Sequence, residues 1–124
     1  PEITFPSLVT YSYGGAVYYM DSDGKRPIQN PQTFVSWGFQ WGNIFYTQNN
    51  AFLAGYPSPN PLSVLALNHG MVYLISNGER HHIVSPDVFN AHAAYDPLYD
   101  WSNIYPVSDN ALNTLTTPGL DITS

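Results

Sequence analysis

Val72-Tyr73-Leu74-Ile75-Ser76-Asn77-Gly78-Glu79-Arg80-His81 decides the fold. A β-branched and aromatic run meets Asn-Gly, a pair that accepts the positive φ angles of a tight hairpin turn, so residues 71–75 are expected to form a strand that folds back beyond Gly78. The same grammar occurs about 55 residues earlier, where Ala16-Val17-Tyr18-Tyr19-Met20 runs into Asp21-Ser22-Asp23-Gly24. Moving outward from both hairpins, Asn30-Pro31 and Ser85-Pro86 set a capping side chain before proline at the first helical position. That arrangement predicts short helices over 31–37 and 86–92, the first ended by Gly38. Residues 44–47 and 104–107 read as a third strand. Asn49, and Ser108 or Asp109, read as caps on a brief helical turn through Phe52 and Leu112.

Aligned on these signals, the stretch from about Pro6 to Asn60 and the stretch from Pro61 onward are diverged copies of one unit. Pro6 matches Pro61, Val9 matches Val64, Gly15 matches Gly70, and Val17-Tyr18 matches Val72-Tyr73. With the first turn read as one residue longer, Gly24 and Arg26 match Gly78 and Arg80, after which Pro31 and Phe34 meet Pro86 and Phe89. An insertion around 94–100 precedes the match of Trp41, Asn43 and Ile44 with Trp101, Asn103 and Ile104. The expected fold class is α+β: two tandem copies, each a β-hairpin, a short helix, a third strand and a short helical turn. Residues 1–60 form the first repeat with an extended N-terminal arm, and 61–124 the second with an extended tail, the two packed as one compact pseudo-symmetric domain. Being matched, Trp41 and Trp101 are expected in the core, and Arg26 and Arg80 are expected to bond carbonyls of their own units.

Composition narrows the partners. Only 10% of residues are charged and Lys plus Arg number 3, against a formal net charge of −6. Phosphate backbones need clustered cations, so no nucleic-acid partner is expected. No apolar run approaches the roughly 20 residues that cross a bilayer, so no membrane span is expected. Cysteine is absent, which removes disulfides and thiolate metal sites. The sequence starts at Pro1 rather than Met, and removal of a secretory signal is the expectation drawn from that. The expected setting is extracellular or on the cell surface.

Catalytic signals are thin. No Gly-x-Ser-x-Gly elbow, His-Glu-x-x-His motif or phosphate-binding glycine loop occurs, and no enzyme or cofactor is expected. Asp21-Ser22-Asp23-Gly24 opens like a calcium loop, but Lys25-Arg26-Pro27 follow without ligand oxygens, which makes it a hairpin turn. Adjacent His81 and His82 point to opposite sides of a strand, and none of the four histidines recurs as His in the first copy, so no metal site is expected.

The second copy, with Val72 to Ile75, Asn77 to His81, Ser85-Pro86-Asp87-Val88-Phe89, Trp101 and Val107-Ser108-Asp109 before Leu112, resembles a roughly 50-residue tandem repeat of bacterial secreted and cell-surface proteins. The resemblance spans nearly the whole chain and implies a structural unit in that setting. It carries over no catalytic residue. The first copy departs from the pattern at Trp37 to Gln40 and at Thr47-Gln48-Asn49.

Ten Tyr, six Phe and three Trp exceed what one small core requires, and surplus aromatics can stack on sugar rings or fill an interface. The unmatched Tyr11, Tyr13, Trp37, Tyr95 and Tyr99 are the expected ligand-binding residues. Repeats bury their faces against neighbours, which makes copies of the chain itself the expected partner. The assembly contacts would be Ile3, Phe5 and Leu8 in the N-terminal arm and Leu120 and Ile122 in the tail. The sequence thus points first to a non-catalytic structural protein assembling head-to-tail into a filament or surface array, and second to a carbohydrate-binding adhesion module.

Overall fold

A computed structural model describes residues 8–11, 16–47 and 54–124. It is an α+β fold of two four-stranded units built to one plan. In the first, β1 (Leu8–Tyr11), β2 (Val17–Asp21), β3 (Gly24–Pro27) and β4 (Ile44–Thr47) form a sheet in the order β3-β2-β1-β4. In the second, β5 (Leu65–Asn68), β6 (Met71–Ser76), β7 (Glu79–Ile83) and β8 (Ile104–Pro106) repeat that order, and β9 (Thr117–Pro118) adds along β7. Hairpin pairs are antiparallel, whereas β1 with β4 and β5 with β8 run parallel. The helix that each unit inserts before its last strand supplies the crossover that parallel pairing needs.

The local signals act as expected. Asn30 Oδ1 accepts from Thr33 N at 2.8 Å and Ser85 Oγ from Val88 N at 3.2 Å, starting α1 (Pro31–Ser36) and α2 (Pro86–Ala93) with proline in the first turn. Gly38 ends the first helix region at φ +86°, and Asn77 and Gly78 turn the second hairpin at φ +53° and +75°. Ser108 caps α3 (Asp109–Leu115) through Ala111 N at 2.9 Å. The turn placed at Asn49 and Phe52 lies outside the described residues.

Strand register corrects the alignment of the copies in two places. Leu8 pairs with Tyr19 and Ile44 as Leu65 pairs with Leu74 and Ile104, so Val9 stands at the position of Ala66 rather than Val64. Pro6, matched with Pro61 in the sequence, lies outside the described residues. The two hairpin turns are equal in length, since Asp21 faces Gly24 as Ser76 faces Glu79. The counterpart of Arg80 is therefore Lys25, and that of Arg26 is His81. One residue of slip reverses the face on which a strand side chain stands, and the bonds agree with the corrected register. Lys25 Nζ donates to Tyr56 O at 2.6 Å, as Arg80 Nη1 donates to Thr116 O at 2.9 Å. Arg26 Nη1 donates to Asn60 O at 2.9 Å, where His81 Nδ1 meets Leu120 O at the same distance.

Arg26 does more than bond its own unit. Its side chain is 4% exposed and forms ion pairs of 2.7 Å with Asp21, wholly buried, and with Asp23. It also donates across the joint to Pro106 O at 3.1 Å. Ser108 Oγ donates to Asp21 Oδ2 at 2.7 Å, tying the cap of α3 to the first hairpin. Burial pushes the Asp21 carboxyl up, but the hydrogen bonds from Arg26, Ser108 and Ser22 N outweigh it and hold the group below its ordinary value. Beside this polar cluster, Tyr19 and Trp37 share one buried core with Leu62, Ala66, Ile75, Val107, Ala111 and Leu112. A second core beneath α2 gathers Val64, Leu65, Ile83, Phe89 and Tyr99.

The linker and the tail follow equivalent paths. Leu62 bridges Ile28 in parallel, and Ile122 bridges Ile83 in the same way.

Candidate functional site

Each unit carries a cleft made by the same residues in the same order. The N-terminal proline of the helix fixes where the helix begins, and its inward face buries Phe34 in one unit and Phe89 in the other, each 1% exposed. A 3-10 turn after the helix, Trp41–Asn43 or Trp101–Asn103, lays an indole over that phenyl ring. Trp41 stacks on Phe34 at 3.9 Å between centroids and 15° between planes, and Trp101 on Phe89 at 4.1 Å and 38°. The far side of each indole faces solvent, leaving Trp41 54% and Trp101 49% exposed.

The first cleft, about 410 Å³, is lined by Ala16, Val17, Ile28, Gln29, Asn30, Pro31, Phe34 and Trp41. The second, about 230 Å³, has Met71, Val72, Ile83, Val84, Ser85, Pro86, Phe89 and Trp101 at the corresponding positions, with Gly70 and His82 completing its wall. Every lining residue of the first cleft thus has its counterpart in the second. Met71 in the place of Ala16 accords with the smaller volume. Neither lining contains Asp, Glu, Lys or Arg. Polar groups sit at the edges: Trp101 Nε1 donates to Asn90 Oδ1 at 2.7 Å, fixing the ring, and Gln29 Nε2 donates to Asn103 Oδ1 at 2.7 Å.

The residues expected to bind ligand are dispersed. Trp37 is 1% exposed and donates its indole N–H to Ser63 O at 2.8 Å. The large ring fills the joint between units, and its one polar atom is satisfied there, so it offers nothing to a ligand. Tyr99 is 6% exposed and meets Phe89 edge-on at 5.3 Å. It takes the place that Phe39 holds against Phe34 at 5.4 Å, so it is a matched core residue. Burial first, then the neighbouring Asp96 and Tyr95, push its phenol up. Tyr95 is 74% exposed and its hydroxyl meets His92 Nδ1 at 3.2 Å. Tyr11 pairs with Thr47 in β1, and Tyr13 lies outside the described residues.

Trp41 and Trp101, expected in the core, form the exposed walls instead. The legible signal was their recurrence together with Pro31/Pro86 and Phe34/Phe89. A repeated Trp is consistent with a repeated site as well as with a repeated core, and only the 3-10 turn decides which side of the phenyl ring it covers.

Of the expected assembly contacts, Leu8 is 3% exposed and sits between β2 and β4 of its own sheet. That stretch of the arm is a central strand, committed within the chain because its hydrogen bonds are met on both sides. Ile122 packs on the second core, while Leu120 is 86% exposed. Ile3 and Phe5 lie outside the described residues.

Among the described residues no three His, Asp or Glu side chains converge as a metal site, and no helix is long and apolar enough to cross a membrane. The closest His-carboxylate pair, His69 and Asp109 at 2.8 Å, is exposed. Compared with known proteins, the chain matches no family model and no curated sequence.

Proposed function

We propose that this chain is a non-catalytic, extracellular carbohydrate-binding module whose ligands are neutral glycans, held in the two equivalent tryptophan clefts. One observation carries the reading: eight lining positions recur in both units, each set ending in a half-exposed indole stacked on a buried phenyl ring. A pyranose ring has a flat face of C–H bonds, slightly positive, that suits the negative face of an indole. The rim leaves the Gln29 carbonyl and the Asn30 amide group in one cleft and the Ser85 hydroxyl proton in the other for sugar hydroxyls, beyond the bonds these side chains make to Asn103, Thr33 and Val88. A cleft without charges, on a chain of net charge −6, favours a neutral polymer over an acidic one.

A proline-rich peptide is the closest competitor for an aromatic groove. Such a ligand presents carbonyls to a free indole N–H, and in the second cleft that of Trp101 is already spent on Asn90. The test is an array of neutral and acidic glycans with proline-rich peptides alongside, probed with the wild-type chain and with Trp41→Ala and Trp101→Ala. Signal on neutral glycans, weakened by each substitution, is the expected result. Uniformly blank glycans, or signal confined to peptides, would remove the reading.

Head-to-tail assembly with copies of itself is a second reading, favoured by the tail running beside β7 as the linker runs beside β3. The joint between the units rests on Asp21, Arg26 and Trp37, whose counterparts on the outer face are Ser76, His81 and His92. An assembly would therefore use a different joint. Light scattering over a range of concentrations tests it: particles that grow with concentration support it, and a constant monomer mass removes it.

A further inference from the structure

Starting from that carbohydrate-binding reading, we infer that the two clefts are successive subsites for a single extended glycan chain rather than two independent pockets. Gln29 lines the first cleft, and its side-chain amide donates to Asn103 Oδ1 at 2.7 Å. Asn103 closes the 3-10 turn that begins at Trp101, the wall of the second cleft. The edge of one site is thus hydrogen-bonded to the turn that positions the other. The same turn is anchored from below: Ser63 Oγ donates to Asn103 O at 2.6 Å, and Ser63 O in turn accepts from Trp37 at 2.8 Å. Trp37 is buried in the core shared by the two units, so the relative placement of the clefts is fixed by packing rather than left to a flexible linker.

Rigid spacing selects for a stiff ligand. A neutral β-1,4-linked pyranose chain is extended and keeps flat faces along its length, so one ring would lie on Trp41 and a later ring on Trp101. Each cleft alone is shallow and its ring is half exposed, which makes single-site binding weak. A chain long enough to reach both converts the second contact into an intramolecular one, with a gain on the order of 10²-fold or more when the spacing fits.

The experiment is calorimetry with cello- and chito-oligosaccharides of increasing length against the wild-type chain, Trp41→Ala, Trp101→Ala and Asn103→Ala. The expected result is two weak sites for short oligosaccharides, then a step to one ligand per chain with an affinity gain of roughly 10²-fold. Either Trp substitution should abolish the step while leaving the other site's weak binding. Asn103→Ala, which lines neither cleft itself but releases Gln29 of the first lining from the turn of the second, should reduce the step. Binding at two sites with one affinity at every length would overturn the inference and leave the carbohydrate reading standing. Absence of binding at all lengths would overturn both.

Discussion

Replacing Arg26 by Ala should be among the most damaging single changes in this protein, and its cost can be worked from the contacts. The guanidinium is 4% exposed and forms two 2.7 Å ion pairs, with Asp21 and Asp23, as well as bonds to Asn60 O and Pro106 O. Without it, the fully buried Asp21 carboxylate keeps no charged donor, only Ser108 Oγ, Ser22 N and, at 3.5 Å, Ser22 Oγ. Breaking a buried pair on one side costs about 3–5 kcal/mol, because the remaining charge stays buried. For a chain of 124 residues that corresponds to a fall in Tm of roughly 10–20 °C, since about 1 kcal/mol moves the midpoint by roughly 4 °C at this size. Arg80→Ala is the control, for Arg80 bonds chiefly Thr116 at 2.9 Å and 3.1 Å and holds no carboxylate. It should cost about 1.5–3 kcal/mol, the range for hydrogen bonds from a charged donor. Equilibrium urea unfolding of the two variants, followed by tryptophan fluorescence, measures the difference. Equal losses for both, or a loss under about 1 kcal/mol for Arg26→Ala, would refute the assignment of Arg26 as the clamp between units.

Two further outcomes follow from the same joint. Trp37→Phe keeps a ring in the core but removes the donor to Ser63 O, and should cost about 1–3 kcal/mol, read by the same unfolding curves. Asp21 has a lowered folded-state pKa, so the stability it contributes is present above the ordinary carboxylate value of about 3.9 and is lost as pH falls through the folded value. Acid titration by circular dichroism should therefore show the wild type losing stability as pH falls below about 3.9, and Asp21→Asn should flatten that acid limb; an unchanged limb would mean that Asp21 does not control it.

Local structure was legible because local chemistry dictates it. Asn77-Gly78 forms its turn, Asn30-Pro31 and Ser85-Pro86 start helices, and Gly38 ends one, since each signal acts within a few residues. The strands Leu8–Tyr11 and Leu65–Asn68 were not foreseen. Their parallel partners lie far along the chain, and the hairpin of Leu65–Asn68 with the next strand turns at His69-Gly70, φ +50° and +77°, a less obvious turn pair than Asn-Gly. The candidate site was half legible in the same sense. The pairs Pro31/Pro86, Phe34/Phe89 and Trp41/Trp101 stood out as repeats, yet repetition alone could not separate a core from a binding wall.

By itself the sequence determined that two copies of one α+β unit exist and where their turns and helix starts fall. Those properties depend on composition and on contacts between near neighbours. Tertiary structure decided the rest. It set the register that pairs Arg26 with His81 and Lys25 with Arg80, buried Trp37 and Tyr99, and turned Trp41 and Trp101 outward. The physical reason is that a side chain's exposure depends on what packs over it from elsewhere in the chain: a second sheet covers Trp37, and nothing described covers the outer face of Trp41.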